Sequence, residues 1–400
     1  VAASSETTSF DYGHFNSWPV TVDGDSISGG AFDWAGAAPP GEDFPAYGNY
    51  NLSPAQIIAG LLDNPMDNLV QINHIGSHFG ASGLAIDTGM TPPQSSTDLA
   101  TRRLDPSLEN GFDDGFDALE VWIGTNGRSG ILSGFLGENA GDWFNLINQD
   151  LVRIGIANSD THDRRFTQTS ARTLIASNIT NPAELSSTAE TLAANALAGK
   201  AIGTNAPFLL LQASSVHQGQ RQEAGLNIDN SITLSADAGS SVELTATVIT
   251  PAWAGVDALE FYINNQPERT TEAGTAARYR VCPNVRIESG DPAWTSEQVV
   301  VNESVPGAAR NEISVTLTLE NITEDTWLVA MARGTDGVSE PLFPVLPASL
   351  NRDGNSTLED LTDGNLGEAG TPAFAFTNPL FIDVNGDGWQ APGVSNAACP

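Results

Sequence analysis

The amino-acid sequence predicts an α/β region of buried parallel strands and helices, followed by an all-β sandwich of immunoglobulin-like type and an Asn/Asp/Gly-rich tail. Three observations predict it. Up to about residue 212, apolar runs of strand length alternate with helix-like stretches. From about residue 225, alternating and β-branched runs are separated by turn residues. Past residue 349, Asn, Asp and Gly cluster. The expected segments are therefore 1–224, 225–348 and 349–400.

In the first segment, 69–72, 118–123 and 151–157 are nearly all apolar and partly β-branched, which predicts buried parallel strands. Ser53-Pro54 before the run 55–62 predicts a capped helix with Pro at its first position. Asn181-Pro182 before 183–197 predicts another, ending near Gly199. In the second segment, 231–236, 242–249, 258–263, 313–319 and 327–332 carry the alternation of half-buried strands. The tail holds two turn-forming clusters, Asn351-Arg-Asp-Gly-Asn and Asp383-Val-Asn-Gly-Asp-Gly.

The chain carries 49 acidic residues against 16 basic ones, a net charge of −33, and Lys200 is its only lysine. Such a field argues against nucleic acid or an anionic membrane surface as a partner, since both are negative. It suits a soluble surface that holds cations, of the kind found in secreted or halophilic proteins. No apolar run approaches the roughly 20 residues of a membrane span. The first residue is Val1, with no signal-peptide pattern, so an upstream segment is expected to have been removed or to lie outside this sequence. Cys282 and Cys399 leave two readings open, a disulfide in an oxidising compartment or two free thiols.

The candidate chemistry sits where apolar strands end. The strand 69–72 runs into Asn-His74, and 151–157 runs into Asn-Ser-Asp160-Thr-His162. In parallel α/β architectures, ligands gather at these C-terminal strand ends. An Asp-x-His pair in extended backbone also places both side chains on one face. Glu6, in Ser-Ser-Glu-Thr-Thr, and His14, in Gly-His-Phe-Asn-Ser-Trp-Pro, complete an oxygen and imidazole set suited to zinc, manganese or iron. The blander readings are a structural histidine at a strand end and a capping aspartate beside a solvated imidazole. His78 reads as exposed or supporting, because Ile75-Gly76 argues against a helix there, and His217 reads as a surface residue.

Ser-Asp160-Thr-His162-Asp resembles the last metal motif of the polymerase-and-histidinol-phosphatase (PHP) superfamily, and Phe116-Asp-Ala-Leu-Glu-Val-Trp resembles the strand before it. Gly13-His-Phe-Asn, Trp18-Pro19, Gln71-Ile-Asn-His74, Ala171-Arg-Thr173, Thr204-Asn-Ala-Pro-Phe208 and the closing stretch from Asn378 to Gly388 resemble its CehA/McbA branch of metallohydrolases. The resemblance implies a β/α barrel over 1–224, incomplete because the family's opening His-x-His motif is absent. It implies Glu6 as bridging carboxylate, His14 and His74 completing one metal site, Asp160 and His162 belonging to others, and Glu120 as a buried supporting residue. Arg172 is then a candidate for an anionic substrate group, with a structural salt bridge as the alternative. Ala206 departs from the family's glycine.

The activity implied is metal-dependent hydrolysis of a small-molecule phosphoester, ester or carbamate, outside the cytoplasm, with the missing upstream segment as a further partner. The alternative is a non-catalytic extracellular surface or assembly subunit. In the tail, Asp383, Asn385 and Asp387 followed by Gly388 match the first half of a calcium loop, although Val394 stands where such a loop has its bidentate Glu. An Asx-rich turn is the other reading.

Overall fold

The computed structural model describes residues 3–9, 12–25, 29–32, 52–75, 85–95, 111–124, 130–160, 171–227, 229–271, 277–301, 308–334, 372–395 and 397–399. A five-stranded sheet contains β1 (Ser5–Thr8), β2 (His14–Trp18), β3 (Leu69–Ile72), β6 (Ala118–Ile123) and β7 (Ile154–Asn158), in that order. β1, β2 and β3 run antiparallel to one another, while β3, β6 and β7 are parallel. A two-stranded ladder, β4 (Ile86–Asp87) with β5 (Gln94–Ser95), lies apart from it.

The expected β/α barrel does not form. After β7 the chain does not add a further parallel strand: β8 (Arg172–Ile175) pairs antiparallel with β9 (Ala201–Thr204), and both belong to a different sheet. Strands dominate, and only three short α-helices occur among the described residues. Apolar runs report burial but not the partner a strand will choose, and that choice is what a barrel requires. The helix Pro54–Leu62 follows its signals: Ser53 accepts from the Gln56 amide and Gln56 returns a bond to the Ser53 N–H. The predicted helix 183–197 is broken into a 3₁₀ turn, Pro182–Glu184, and a helix, Ala189–Leu197. The hydroxyls of Ser187 and Thr188 both donate to the Glu184 carbonyl, so side chains stop the turn from propagating.

The second sheet draws strands from all three expected segments. Its main path is β12 (Thr233–Ala236), β22 (Leu380–Val384), β20 (Thr326–Arg333), β21 (Phe374–Thr377), β9 and β8, with β14 (Ala258–Ile263) and β17 (Val285–Glu288) attached through β20. A third sheet, β11 (Gln220–Gly225), β10 (Phe208–His217), β13 (Ser240–Pro251), β19 (Ala309–Ile322) and β18 (Trp294–Val300), packs against it. β15 (Glu268–Arg269) and β16 (Tyr279–Arg280) form a small ladder. An all-antiparallel immunoglobulin-like sandwich is not what forms, since β12 and β22 run parallel. Within the expected tail, β21 and β22 are buried throughout. Cys282 and Cys399 form a disulfide.

The middle sheet is covered on both faces. One face meets the third sheet through Leu259, Phe261, Leu328 and Ile382 against Leu209, Leu211, Leu244 and Val248. The other meets the helix Ala140–Ile147 and the first sheet through an aromatic cluster. Phe135 stacks on Phe376 at 5.0 Å, and Phe144 packs on Trp327 at 4.8 Å. A Cβ at Gly203 would lie 2.1 Å from the Phe376 ring, so only glycine fits there. Asn378 joins the layers. Its Oδ1 accepts from the Gly155 N–H at 2.7 Å, and its Nδ2 donates to the carbonyls of Gly155 and Ala201 at 3.2 and 3.0 Å.

Among these layers lies a carboxyl with no cationic partner of its own. Asp142, fully buried, accepts from the Thr88 hydroxyl at 2.6 Å, and burial pushes its pKa up to about 8, against that bond and with added repulsion from Asp87 and Glu138.

Two outcomes are expected. Asn378→Ala strands the Gly155 and Ala201 backbone groups and should lower unfolding free energy by roughly 2–4 kcal/mol in denaturant titration; a loss below about 0.5 kcal/mol would contradict the assigned role. For Asp142, the unfolded carboxyl ionises near pH 4 while the folded one keeps its proton to about pH 8. The native state binds the extra proton across that window, so this group's contribution is full below about pH 4 and is lost as pH rises towards 8. The slope approaches about 1.4 kcal/mol per pH unit. Asp142→Asn should remove that fall when stability is compared with the parent from pH 4 to 8; an unchanged profile would contradict it.

Candidate metal centre

Alternation along the first sheet builds the site. On one face, Val70, Ile72, Leu119 and Val121 enter the main core. The opposite face begins apolar, with Leu69, Ala118, Ile154 and Ile156 packed on Ala193 and Ala196. Two residues further along each parallel strand, that same face turns polar: Gln71 then Asn73, Glu120, and Asn158. On antiparallel β2 the order reverses, from Trp18 through Asn16 to His14. The polar groups thus collect at one end of the sheet, the C-terminal end of its parallel strands.

There Asn16, Gln71, Asn73, Glu120 and Asn158 line a cleft of about 500 Å³ with Glu6, His74, Asp160 and Arg172. One ligand atom from each of Glu6, His14 and His74 lies within 4.8 Å of the others. Glu6 pairs with Asn16 across β1 and β2, which makes His14 its diagonal neighbour, and Asn73 donates its N–H to the His14 carbonyl at 3.0 Å. The His14 Nδ1 lies 3.0 Å from Glu6 Oε1. Two donors about 2.1 Å from a shared ion, at right angles, would be about 3.0 Å apart. Two imidazoles and a carboxylate are a donor set for zinc, manganese or iron, so the residues fit such an ion.

His74 is held from behind. Glu120, only 2 % exposed, places Oε2 2.6 Å from His74 Nδ1 and accepts the His74 backbone N–H through the same oxygen at 2.9 Å. Its Oε1 accepts from the Asn158 amide at 3.1 Å. A carboxylate behind a histidine fixes the ring and leaves the far nitrogen as ligand, the arrangement found around many bound metals. His74 and Asp160 both stand at positive φ, 52° and 44°, just beyond the ends of their strands. Non-glycine residues there are strained, which occurs more often at functional positions than elsewhere.

The charges are coupled. The His14 side chain beside Glu6 holds its carboxyl below the ordinary range, although partial burial acts the other way. Burial opposes protonation of His74, but Glu120 outweighs it, with help from the charges of Asp160 and Glu6, and the imidazole pKa is raised.

Of the residues expected from sequence, the structure brings Glu6, His14, His74, Asp160 and Arg172 to one rim. His162 and His78 lie outside the described residues. Arg172 forms no salt bridge among the described residues; its Nη2 donates to the Asn205 carbonyl at 3.1 Å. Glu120 is buried against His74. His217 is not a plain surface residue: its ring is mostly buried, with Nδ1 3.1 Å from Asp237. Asp383 is buried at the end of β22, and Asn385 and Asp387 are exposed in the turn after it, remote in sequence from the cleft. Sequence reasoning missed Asn16 and Asn158. Asn16 Oδ1 is buried in the cleft wall with no hydrogen-bond partner. The available signal was an amide recurring at alternate positions of otherwise apolar strands.

Comparisons of the chain with protein-family models, with curated proteins and with solved structures give no match. No helix among the described residues is long and apolar enough to cross a membrane.

If Glu120 orients His74, Glu120→Ala should weaken zinc binding by about 10–100-fold in a chelator-competition titration. His14→Ala should weaken it further. Equal zinc affinity in the parent and both variants would remove the metal assignment.

Proposed function

We propose that the chain is a metal-dependent hydrolase acting on a small phosphoester, carboxylic ester or carbamate in an oxidising compartment. The observation that carries the reading is the convergence of Glu6, His14 and His74, the first and last of which line a polar cleft, with Glu120 against His74 from behind. This reading does not depend on a barrel. It rests on the ligand set and on its place at the ends of parallel strands.

A divalent ion in this position supplies Lewis acidity and ionises water near neutral pH. The protein's own residues do the rest. Glu6 brings one negative charge to balance the cation. Glu120 sets which nitrogen of His74 faces the cleft. Asp160, across the cleft, is a carboxylate able to take a proton from an attacking water. The guanidinium of Arg172 offers a fork that matches a phosphoryl or carboxylate group. The cleft is polar and open, which suits a small hydrophilic substrate better than a lipid. The Cys282–Cys399 disulfide supports a location outside the cytoplasm.

The test is a screen of phosphomonoesters, phosphodiesters, carboxylic esters and carbamates on zinc-, manganese- and iron-loaded protein. Hydrolysis should follow metal loading and disappear in His74→Ala. Arg172→Ala should raise KM for anionic substrates by about tenfold with kcat less affected, as loss of uniform binding requires. A protein that binds metal at Glu6, His14 and His74 but hydrolyses nothing would favour the non-catalytic subunit.

A further inference from the structure

The turn after β22 is a second candidate for a cation, and none of its residues lines the cleft. Asp383 is the penultimate residue of β22, and after Val384 the chain turns through Asn385-Gly-Asp-Gly388. Asp383 is only 7 % exposed. Its Oδ2 accepts the Gly388 N–H at 3.1 Å, which turns the carboxylate towards the loop. Its Oδ1 is buried with no hydrogen-bond partner among the described residues. A buried carboxylate oxygen without a donor is costly, and native structures seldom leave one unsatisfied.

The rest of the loop has the form that would satisfy it. Asn385 and Asp387 follow at alternate positions, so three oxygen-bearing side chains stand at the first, third and fifth places. Gly388, at the sixth, has φ of +107°, a conformation open to glycine and strained for other residues. A calcium loop uses these places for ligands and the sixth for a glycine at its sharp turn. Asp325 brackets the loop by accepting from the Val384 N–H at 2.7 Å and the Gln390 N–H at 2.6 Å. That adds a third carboxylate to the field while fixing both ends of the turn.

We propose that the loop 383–388 binds calcium, with Asp383 Oδ1, Asn385 and Asp387 as side-chain ligands and backbone or water oxygens completing the shell. All-oxygen donors on an exposed, water-accessible turn select a hard cation and disfavour the zinc-like ions suited to the imidazole site. Bound there, calcium fastens the last strand of the middle sheet at the point where the chain leaves it. Beyond the loop, Trp389 packs on Phe381 at 4.7 Å, Gly393 donates to the Asn148 carbonyl at 2.9 Å, and Cys399 is bonded to Cys282. The ion thus closes one end of a segment whose other end is closed by the disulfide.

Terbium tests this directly, because it occupies calcium loops and emits when a nearby indole is excited, and Trp389 adjoins Gly388. Chelator-stripped protein should show saturable terbium emission on tryptophan excitation, displaced by calcium but not by equal magnesium. Asp387→Asn, an exposed change that removes one ligand charge, should weaken calcium by about tenfold or more. Zinc affinity at Glu6, His14 and His74 should stay unchanged, which shows the variant to be folded. Trp389→Phe should cut the emission without altering calcium affinity by calorimetry. Absence of calcium-displaceable emission in the parent, or parental calcium affinity in Asp387→Asn, would overturn the proposal.

Discussion

The buried amide of Asn378 is the point on which the layered arrangement depends. A side-chain amide can accept and donate in one plane, and here it matches both backbone groups of Gly155 on one sheet while reaching the Ala201 carbonyl on another. No apolar residue could satisfy β7 at this point, because its backbone groups would be left without partners inside the protein. Asn205 acts in the same way nearby, accepting from the Phe374 N–H and donating to the Pro372 carbonyl. Two asparagines thus settle where the final strands enter the middle sheet, and the aromatic cluster of Trp143, Phe135 and Phe376 fills the space they leave.

This geometry reaches the candidate metal centre through β7. The strand bonded to Asn378 at Gly155 continues to Asn158, whose amide holds Glu120, and then to Asp160. Glu120 in turn holds His74. His74 and its support therefore depend on strands whose position is set by a layer far along the chain. A site mounted on strands in this way keeps its donors in place without the ion, which lowers the ordering needed when the ion arrives.

Much of the local structure was legible in the sequence, and the pairing of strands was not. Apolar runs marked 69–72 and 118–123 as buried strands, and Ser53-Pro54 marked a helix start, because periodicity and capping are local properties. The barrel failed because pairing is not local: nothing in Arg172-Thr-Leu-Ile says that its partner is 201–204 and not β7. The burial of 374–384 went unseen for a related reason. Its strands are flanked by Asn, Asp and Gly, and composition over a long window hid two short apolar runs. The site was more legible than the fold, since His74, Asp160 and Glu6 carry chemistry that strand ends expose whatever the topology. Asn16 and Asn158 were lost because an amide in a strand looks the same whether it supports a ligand or merely meets water.

The insertion of β21 and β22 into the middle sheet also bears on how the chain can be made. β20 meets both of them, and β9 meets the rest of that sheet only through β21, so the central layer has a gap until residues 374–384 are available. During synthesis those residues leave the ribosome after every other strand of that sheet. Both faces of the incomplete sheet, and the aromatic side chains meant for Phe374 and Phe376, must wait for them. A molecule organised this way cannot complete its core domain by domain from the N-terminus, and a chain released early has its largest apolar surface uncovered.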